Sequence, residues 1–403
     1  MTALIASPLG MAAAAENQQA RHEEADSLAA SSAASKAPHI AGSKGLLARP
    51  IKLKDTGISI LFGGWVQADL IQDFDPVGNE NQFKVNSIPV AGNPDSQLGG
   101  NTNFQIKQTR LSMDTRIDSA EGEIRTYIEG DFFGDGNSFR IRHAYGEWKG
   151  VLAGQTWSTF QDISARPLTL DYEGPDAEIF TRQAQLRYTH TVSDAVEWAI
   201  ALEDPDSQVS SSQAGTGRSE LPDLAANLRF TGSRGHVQVG GLARQIRFVS
   251  DAGQIDETTA GWGLNLSGSL SVREKDALMG QVAFGSGVGR YIETFSGQSA
   301  DAALTSANDL EAIDAVALVA GYQRVWNAQF KSTFSLAYAE VDNIQSQPGT
   351  AIESSKSVHA NLIYTPTPLL LIGGEFMWGE REDFSGDSGD ATRFQFTIRY
   401  KLR

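Results

Sequence analysis

The sequence predicts an all-β chain: a transmembrane antiparallel β-barrel of about sixteen strands, with short periplasmic turns and long extracellular loops. Three observations carry that reading. Apolar and polar residues alternate strictly through segments of about ten to fifteen residues. The connections between segments are alternately very short and long. No run approaches the ~18 consecutive apolar residues that a membrane-spanning helix requires, so a membrane chain of this kind must cross with strands.

The last segment shows the alternation most clearly. Phe394, Phe396, Ile398, Tyr400 and Leu402 are apolar, with Arg393, Gln395, Thr397, Arg399 and Lys401 between them. Successive strand side chains point to opposite faces, so one face is greasy and the other wet. Leu111 and Met113 alternate with Arg110, Ser112 and Asp114 in the same way, as do Leu224, Ala226, Leu228 and Phe230 with Asp223, Ala225, Asn227 and Arg229. A soluble sandwich would alternate too, but over strands of roughly five or six residues. These run longer.

Short turns fall at 118–120, 149–150, 190–194, 232–234, 273–275, 326–327 and 365–367, and long loops at 73–102, 158–178, 204–219, 286–310 and 342–354. Short connections on one side and long ones on the other are the pattern of outer-membrane barrels. Sixteen segments follow between 57 and 403, an even number that leaves both ends of the barrel on the periplasmic side. Aromatic residues near segment ends (Phe62, Trp65, Phe132, Trp148, Trp198, Phe230, Trp326, Phe376 and Trp378) are expected to form the two interfacial girdles.

Composition narrows the partners. By mean hydropathy, −0.27, the chain resembles a soluble protein, an impression that the alternation overturns. A net charge of −16 argues against nucleic acid as a partner. The absence of Cys excludes disulfide frameworks and Cys-ligated metals. Residues 1–15 read as the remnant of a secretion signal: Ala3-Leu4-Ile5-Ala6 leads into Ala12-Ala13-Ala14-Ala15-Glu16, with no basic n-region, and cleavage is expected near Ala15. Residues 16–55 are polar and read as a periplasmic extension or linker, and 56–403 as the barrel.

A membrane sheet must close because hydrocarbon cannot satisfy an open strand edge. Small barrels fill with side chains, whereas 16–18 strands leave an aqueous channel, so the strand count predicts a pore. Its lining comes from the polar parity of each strand. Arg125, Tyr127, Glu129 and Asp131 share one parity, and Arg140 and Arg142 follow after the tip at 134–137. Arg110, Arg116, Arg187, Arg229, Arg244 and Arg399 also fall on wet faces. A basic wall in a low-dielectric tube concentrates anions. Arg140 and Arg142 lie opposite Asp131 and Glu129 and can equally be read as neutralising them, whereas Arg110 and Arg187 have no evident acidic partner. The loop 158–178 carries Asp162, Arg166, Asp171, Glu173, Asp176 and Glu178. Folded inward, it would set carboxylates against the wall arginines at the narrowest point; folded outward, it is acidic surface.

Three stretches carry a family resemblance. Ile128-Glu129-Gly130-Asp131-Phe132-Phe133-Gly134, Arg140-Ile141-Arg142-His143-Ala144-Tyr145-Gly146 and Leu152-Ala153-Gly154-Gln155-Thr156-Trp157-Ser158-Thr159-Phe160 resemble the DcaP-type trimeric outer-membrane porins, as does 180–188. The likeness is strong over about 57–205 and weaker beyond. It implies a homotrimer of sixteen-stranded pores in outer-membrane lipid, a preference for small anionic solutes such as dicarboxylates, and a periplasmic N-terminal extension. Two features depart from the family pattern: the extension lacks heptads, and the last strand ends Tyr400-Lys401-Leu402-Arg403 rather than in an aromatic residue.

Other motifs point nowhere. Gly386-Asp387-Ser388-Gly389 imitates a serine-protease string without a His-Asp pair. Gly285-Ser286-Gly287-Val288-Gly289 is not followed by a helical pattern, so it is no nucleotide cradle. His22, His39, His143, His190, His236 and His359 show no ligand spacing, and His143 falls on the outward parity. Neither a catalytic set, a cofactor nor a metal is expected. The reading is a diffusion porin for small hydrophilic, preferentially anionic solutes, and the alternative is a barrel serving adhesion or assembly.

Overall fold

The structure is a computed structural model that describes residues 50–402 apart from residue 274. The predicted signal remnant and most of the predicted extension therefore lie outside the described residues. Sixteen long strands form one sheet, each antiparallel to its neighbours. They are β1 (Ile58–Asp73), β2 (Arg110–Ser119), β3 (Gly122–Asp131), β4 (Arg140–Trp148) and β5 (Val151–Trp157). Next come β6 (Arg182–Ser193), β7 (Val196–Glu203), β8 (Asp223–Gly232), β9 (Gly235–Ser250), β10 (Asp256–Val272) and β11 (Asp276–Ser286). The circuit ends with β12 (Asp314–Val325), β13 (Phe330–Val341), β14 (Ile352–Thr367), β15 (Leu370–Asp383) and β16 (Ser388–Lys401).

The sheet closes on β1. Its first half pairs with β2, from Ile58↔Ile117 to Trp65↔Arg110, and its second half pairs with β16, from Trp65↔Lys401 to Asp73↔Arg393. The segment Thr102–Gln105 continues the β2 edge against Gln72–Asp69. At the seam Arg393 holds the Asp73 carboxylate through its guanidinium. Before β1, Ile51–Leu53 folds back on Ile58–Ile60 at the rim opposite the long loops.

Burial runs inside out, as a lipid-facing wall requires. On β10, Leu266 is 53% exposed while its neighbour Asn265 is 1% exposed, and Leu264 and Trp262 share the outward face. The parity also corrects one girdle residue. Phe62 faces outward, but Trp65, an odd number of residues away, is buried in the lumen. A second correction comes from a bulge: Glu129 pairs with His143 and Gly130 with Ile141, leaving Arg142 unpaired between them. The extra residue brings both Arg142 and His143 inside, so His143 does not face outward; it is 1% exposed and bonded to Thr156 through Nδ1 at 3.0 Å.

The loop side is less uniform than the pattern predicts. Residues 74–101, 158–181, 204–222, 287–313 and 342–351 are long connections, but 132–139, 251–255 and 384–387 are short hairpins on the same side. Three of the long loops fold into the barrel. Phe160, Ala177 and Ile179 of one and Tyr291, Ile292 and Phe295 of another pack on inward alanines of β8 and β11–β13, among them Ala225, Ala283, Ala317 and Ala339. An isolated bridge, Ile179↔Ile292, ties the two together. Val77, Phe83, Val85 and Ile88 of the first long loop pack on Met377 and Ala391. One half of the lumen is thereby filled, and the half along β1–β6 stays polar.

The orientation predicts a labelling pattern. With no native Cys, Ser212→Cys in the loop 204–222 should react with an impermeant thiol reagent on intact cells. Ser233→Cys, in the turn between β8 and β9, should react only after lysis.

Candidate functional site

Strand parity and the bulge at Arg142 turn Arg110, Arg140 and Arg142 to the open half of the lumen, and Arg182, on the outward parity of its strand, joins them from the strand's first position, over the Trp157 ring. Arg110 opens β2, Arg140 and Arg142 lie on β4, and Arg182 opens β6. Two wall carboxylates stand among them. Asp131 takes a bidentate pair from Arg140, at 3.0 and 2.9 Å, and a further bond from Arg142 at 2.8 Å. Glu129 lies 3.3 Å from Arg142 and 3.4 Å from Arg110, and accepts from the Tyr127 hydroxyl at 2.9 Å. Arg110 and Arg399 also lie over the rings of Trp65 and Tyr172, at 4.6 to 5.1 Å from the centroids. Stacking of this kind fixes guanidinium groups without neutralising them.

The inward loops supply the facing side. Glu173 pairs with Lys84 and accepts from Gln82, both from the first long loop. Glu293 reaches the same place from the loop 287–313. Burial pushes the Glu293 carboxyl well up, and the nearby Glu173 charge and a hydrogen bond with Glu173 raise it further. Burial alone would raise Glu173 as well, but that bond and the Lys84 ammonium hold it below its ordinary value. Five cationic side chains (Lys84, Arg110, Arg140, Arg142, Arg182) therefore line one cleft with three carboxyl groups, Asp131, Glu173 and Glu293.

The loop 158–181 is fastened at several points. Asp162 accepts from Arg229 at 3.2 Å and Ser267 at 2.9 Å, and lies 2.7 Å from His236 Nε2. Burial raises its carboxyl, yet His236, Arg229 and Ser267 outweigh burial and hold it below the ordinary carboxylate range. Across the lumen, Glu375 accepts from the Leu170 amide at 2.7 Å, and the Leu168 carbonyl accepts from Asn361 at 2.8 Å.

The family can now be read. The family model described as DcaP outer membrane protein matches residues 21–402. The chain belongs to the DcaP outer membrane protein family. Its barrel is similar to the outer membrane channel DcaP of Acinetobacter baumannii, at 22% identity over 88% of this chain and 99% of that one, with a TM-score of 0.76. OmpT of Vibrio cholerae shares 11% identity over 87% of this chain and 99% of its own, TM-score 0.55. An anion-selective porin from Comamonas acidovorans shares 10% over 85% and 99%, TM-score 0.55. Comparison with curated protein sequences finds no match. As a DcaP-family protein the chain is an integral outer-membrane barrel.

Within this DcaP-family barrel, the predicted residues separate into groups. Arg110, Arg140, Arg142, Asp131 and Glu173 meet in the cleft, with Glu129 just behind. Arg125 and Arg116 lie further toward the turn side and are paired, Arg125 with Asp114 at 2.9 Å and Arg116 with Glu123 at 3.1 Å. Arg187 lines a separate cleft. In the loop, Asp162 and Asp171 serve as anchors, the latter accepting from the Phe83 amide at 2.8 Å. Arg166 braces the loop from within, 2.8 Å from Glu178. Arg110, expected to lack an acid, has Glu129 beside it. Sequence reasoning missed Lys84, Tyr172, Arg182 and Glu293. Among the described residues no cluster of three or more His, Asp and Glu is placed to hold a metal ion.

The Asp162 anchor predicts a stability change. Asp162→Ala leaves Arg229 and His236 without their buried partner and should lower stability by about 3 kcal/mol in urea unfolding in micelles. Because the Asp162 carboxyl is depressed, that contribution is complete at neutral pH and is lost only as pH falls below about 4. An unchanged midpoint at pH 7 would contradict the anchoring.

Proposed function

We propose that the chain is a trimeric diffusion porin for small hydrophilic solutes, with a preference for anions of the dicarboxylate kind. The observation that carries this is the charge in the cleft: five cations face three carboxyl groups, one of them pushed well up by burial, in a chain whose net charge is −16. Rim charges are screened beyond ~8 Å at physiological salt. Charges in a narrow, partly dehydrated passage act at close range, so the cleft outweighs the rim. Two carboxylates of one solute would find separate guanidinium groups there. Inward folding of three long loops favours passage over an adhesive surface.

A trimer would form through outward apolar faces, since the sheet has no open edge. The early strands suit it: β2–β5 run only 7–10 residues, making a low wall, and OmpT of Vibrio cholerae is described in a trimer form. Residues 16–55 would lie in the periplasm, because Ile51–Leu53 enters the barrel at the rim opposite the long loops.

Arg182 tests the selectivity. No ion pair is formed by it among the described residues, so Arg182→Gln strands no acid. A unit charge at 4 Å acts with about 1 kcal/mol even in bulk water, so the substitution should lower the anion-to-cation permeability ratio by about fivefold. An unmoved reversal potential in a salt gradient would contradict the role of the cleft.

Glu293 gives the pH dependence. Its carboxyl is held well up by burial and by the Glu173 charge, and on losing its proton it adds a negative charge to the cleft. Anion preference should therefore fall as pH rises, and Glu293→Gln should reduce that fall, the remainder coming from Glu178, which burial pushes up to about 8. A wild-type preference independent of pH would contradict the assignment.

A further inference from the structure

A second cleft opens below the inward loop, on the turn side, between the wall of β6–β9 and the chain at 157–163. Trp157, Arg187, Thr189, Glu197, Asn227 and Arg229 are among its lining. Two of these are buried donors without partners. Arg187 is 8% exposed and Trp157 4% exposed, and neither Arg187 Nε nor Trp157 Nε1 has a hydrogen-bond acceptor. No carboxylate lies within ion-pair distance of Arg187 among the described residues.

The neighbouring groups are committed elsewhere. Arg229 and His236 hold Asp162, which also accepts from Ser267 and the Ser164 amide. Glu203 accepts from the Ser158 hydroxyl, the Thr159 amide and Gln183. Glu197 accepts from Thr191 at 3.2 Å, and Asn227 donates to the Thr159 carbonyl at 2.7 Å. What remains without a partner is the Arg187 Nε and the Trp157 indole N–H, two buried donors of residues that line one cleft. Buried donors left unmade are costly, and an external acceptor removes that cost.

Trp157 lines this cleft and carries Arg182, which lines the upper one, on its ring. Arg182 lies over its ring at 4.6 Å, while its N–H edge lacks a partner. Arg182 and Arg187 sit five residues apart on β6, roughly 16 Å along the strand.

We propose that the lower cleft is a second carboxylate-binding station, in which one carboxylate accepts from Arg187 and from the Trp157 indole. It rests on the anionic pathway proposed above, and it would take up solute that has already passed the upper cleft. Two weak stations in series let a solute be held selectively and still leave.

The test uses full-length protein in planar bilayers, with succinate added to one side at a time as a blocker of the chloride current. Arg187→Gln should weaken block from the turn side about tenfold, as expected for loss of a charged hydrogen bond, and leave block from the loop side within about twofold. Trp157→Phe keeps the ring, loses the N–H, and should weaken turn-side block about threefold. Block from both sides that is indifferent to Arg187→Gln would overturn the second station and leave the anionic pathway standing. Wild-type protein unblocked from either side would overturn both. Bromoacetate soaked into wild-type crystals gives an independent reading: a bromine peak between Arg187 and Trp157 is expected, and a peak confined to the neighbourhood of Arg182 would overturn the proposal.

Discussion

Three carboxylates on the loop 158–181, Asp162, Asp171 and Asp176, hold it inside the barrel, and the arrangement of the lumen follows from that anchorage. Asp162 grips the wall of β8–β10 through Arg229, His236 and Ser267. Asp171 and Asp176 accept from the amides of Phe83 and Val85 and so bind the first long loop. Glu178 is paired with Arg166 within the loop itself. Each charge taken out of water has to be matched, because an unpaired one would cost several kcal/mol. Only Glu173 faces the open cleft, with Lys84 at its side. The acids that look from their number like a selectivity ring are mostly fasteners.

That division leaves the guanidinium groups of β2, β4 and β6 in excess over the carboxyl groups they face. The excess is modest, since Asp131 and Glu129 absorb much of Arg140, Arg142 and Arg110. The pairs of the β3–β4 hairpin neutralise one another, Lys84 is matched by Glu173, and Arg182 forms no ion pair among the described residues. Filling the opposite half of the lumen with Phe160, Tyr291 and Phe295 confines the passage to this basic wall.

The barrel was legible because lipid outside and water inside impose a period of two on every strand, and β10 and β16 display it without exception across the membrane. The site was less so. Trp65 belongs to the lumen by parity from Phe62, a placement the sequence contains but the expectation of an aromatic girdle masks. His143 and Arg142 could not be placed by counting, since a bulge adds a residue and shifts the register. The filled half does leave a trace in the sequence. Ala315, Ala317 and Val319 put small apolar residues on the inward face of β12 while Val316 and Leu318 face outward, so that face needs something apolar to cover it. Which loops cover it depends on contacts across more than a hundred residues, such as Asn86 to Thr294, and no local pattern encodes those.

Hydrogen exchange of the loop in the intact barrel tests the anchorage most directly. Amides of Thr159, Phe160, Leu170 and Asp171 are bonded to buried side chains of the wall or of the loop itself. In micelles, peptides from 158–178 should be protected to a degree approaching those of β10. Exchange as fast as that of the outer hairpin at 251–255 would show a loop free of the wall and would contradict the account.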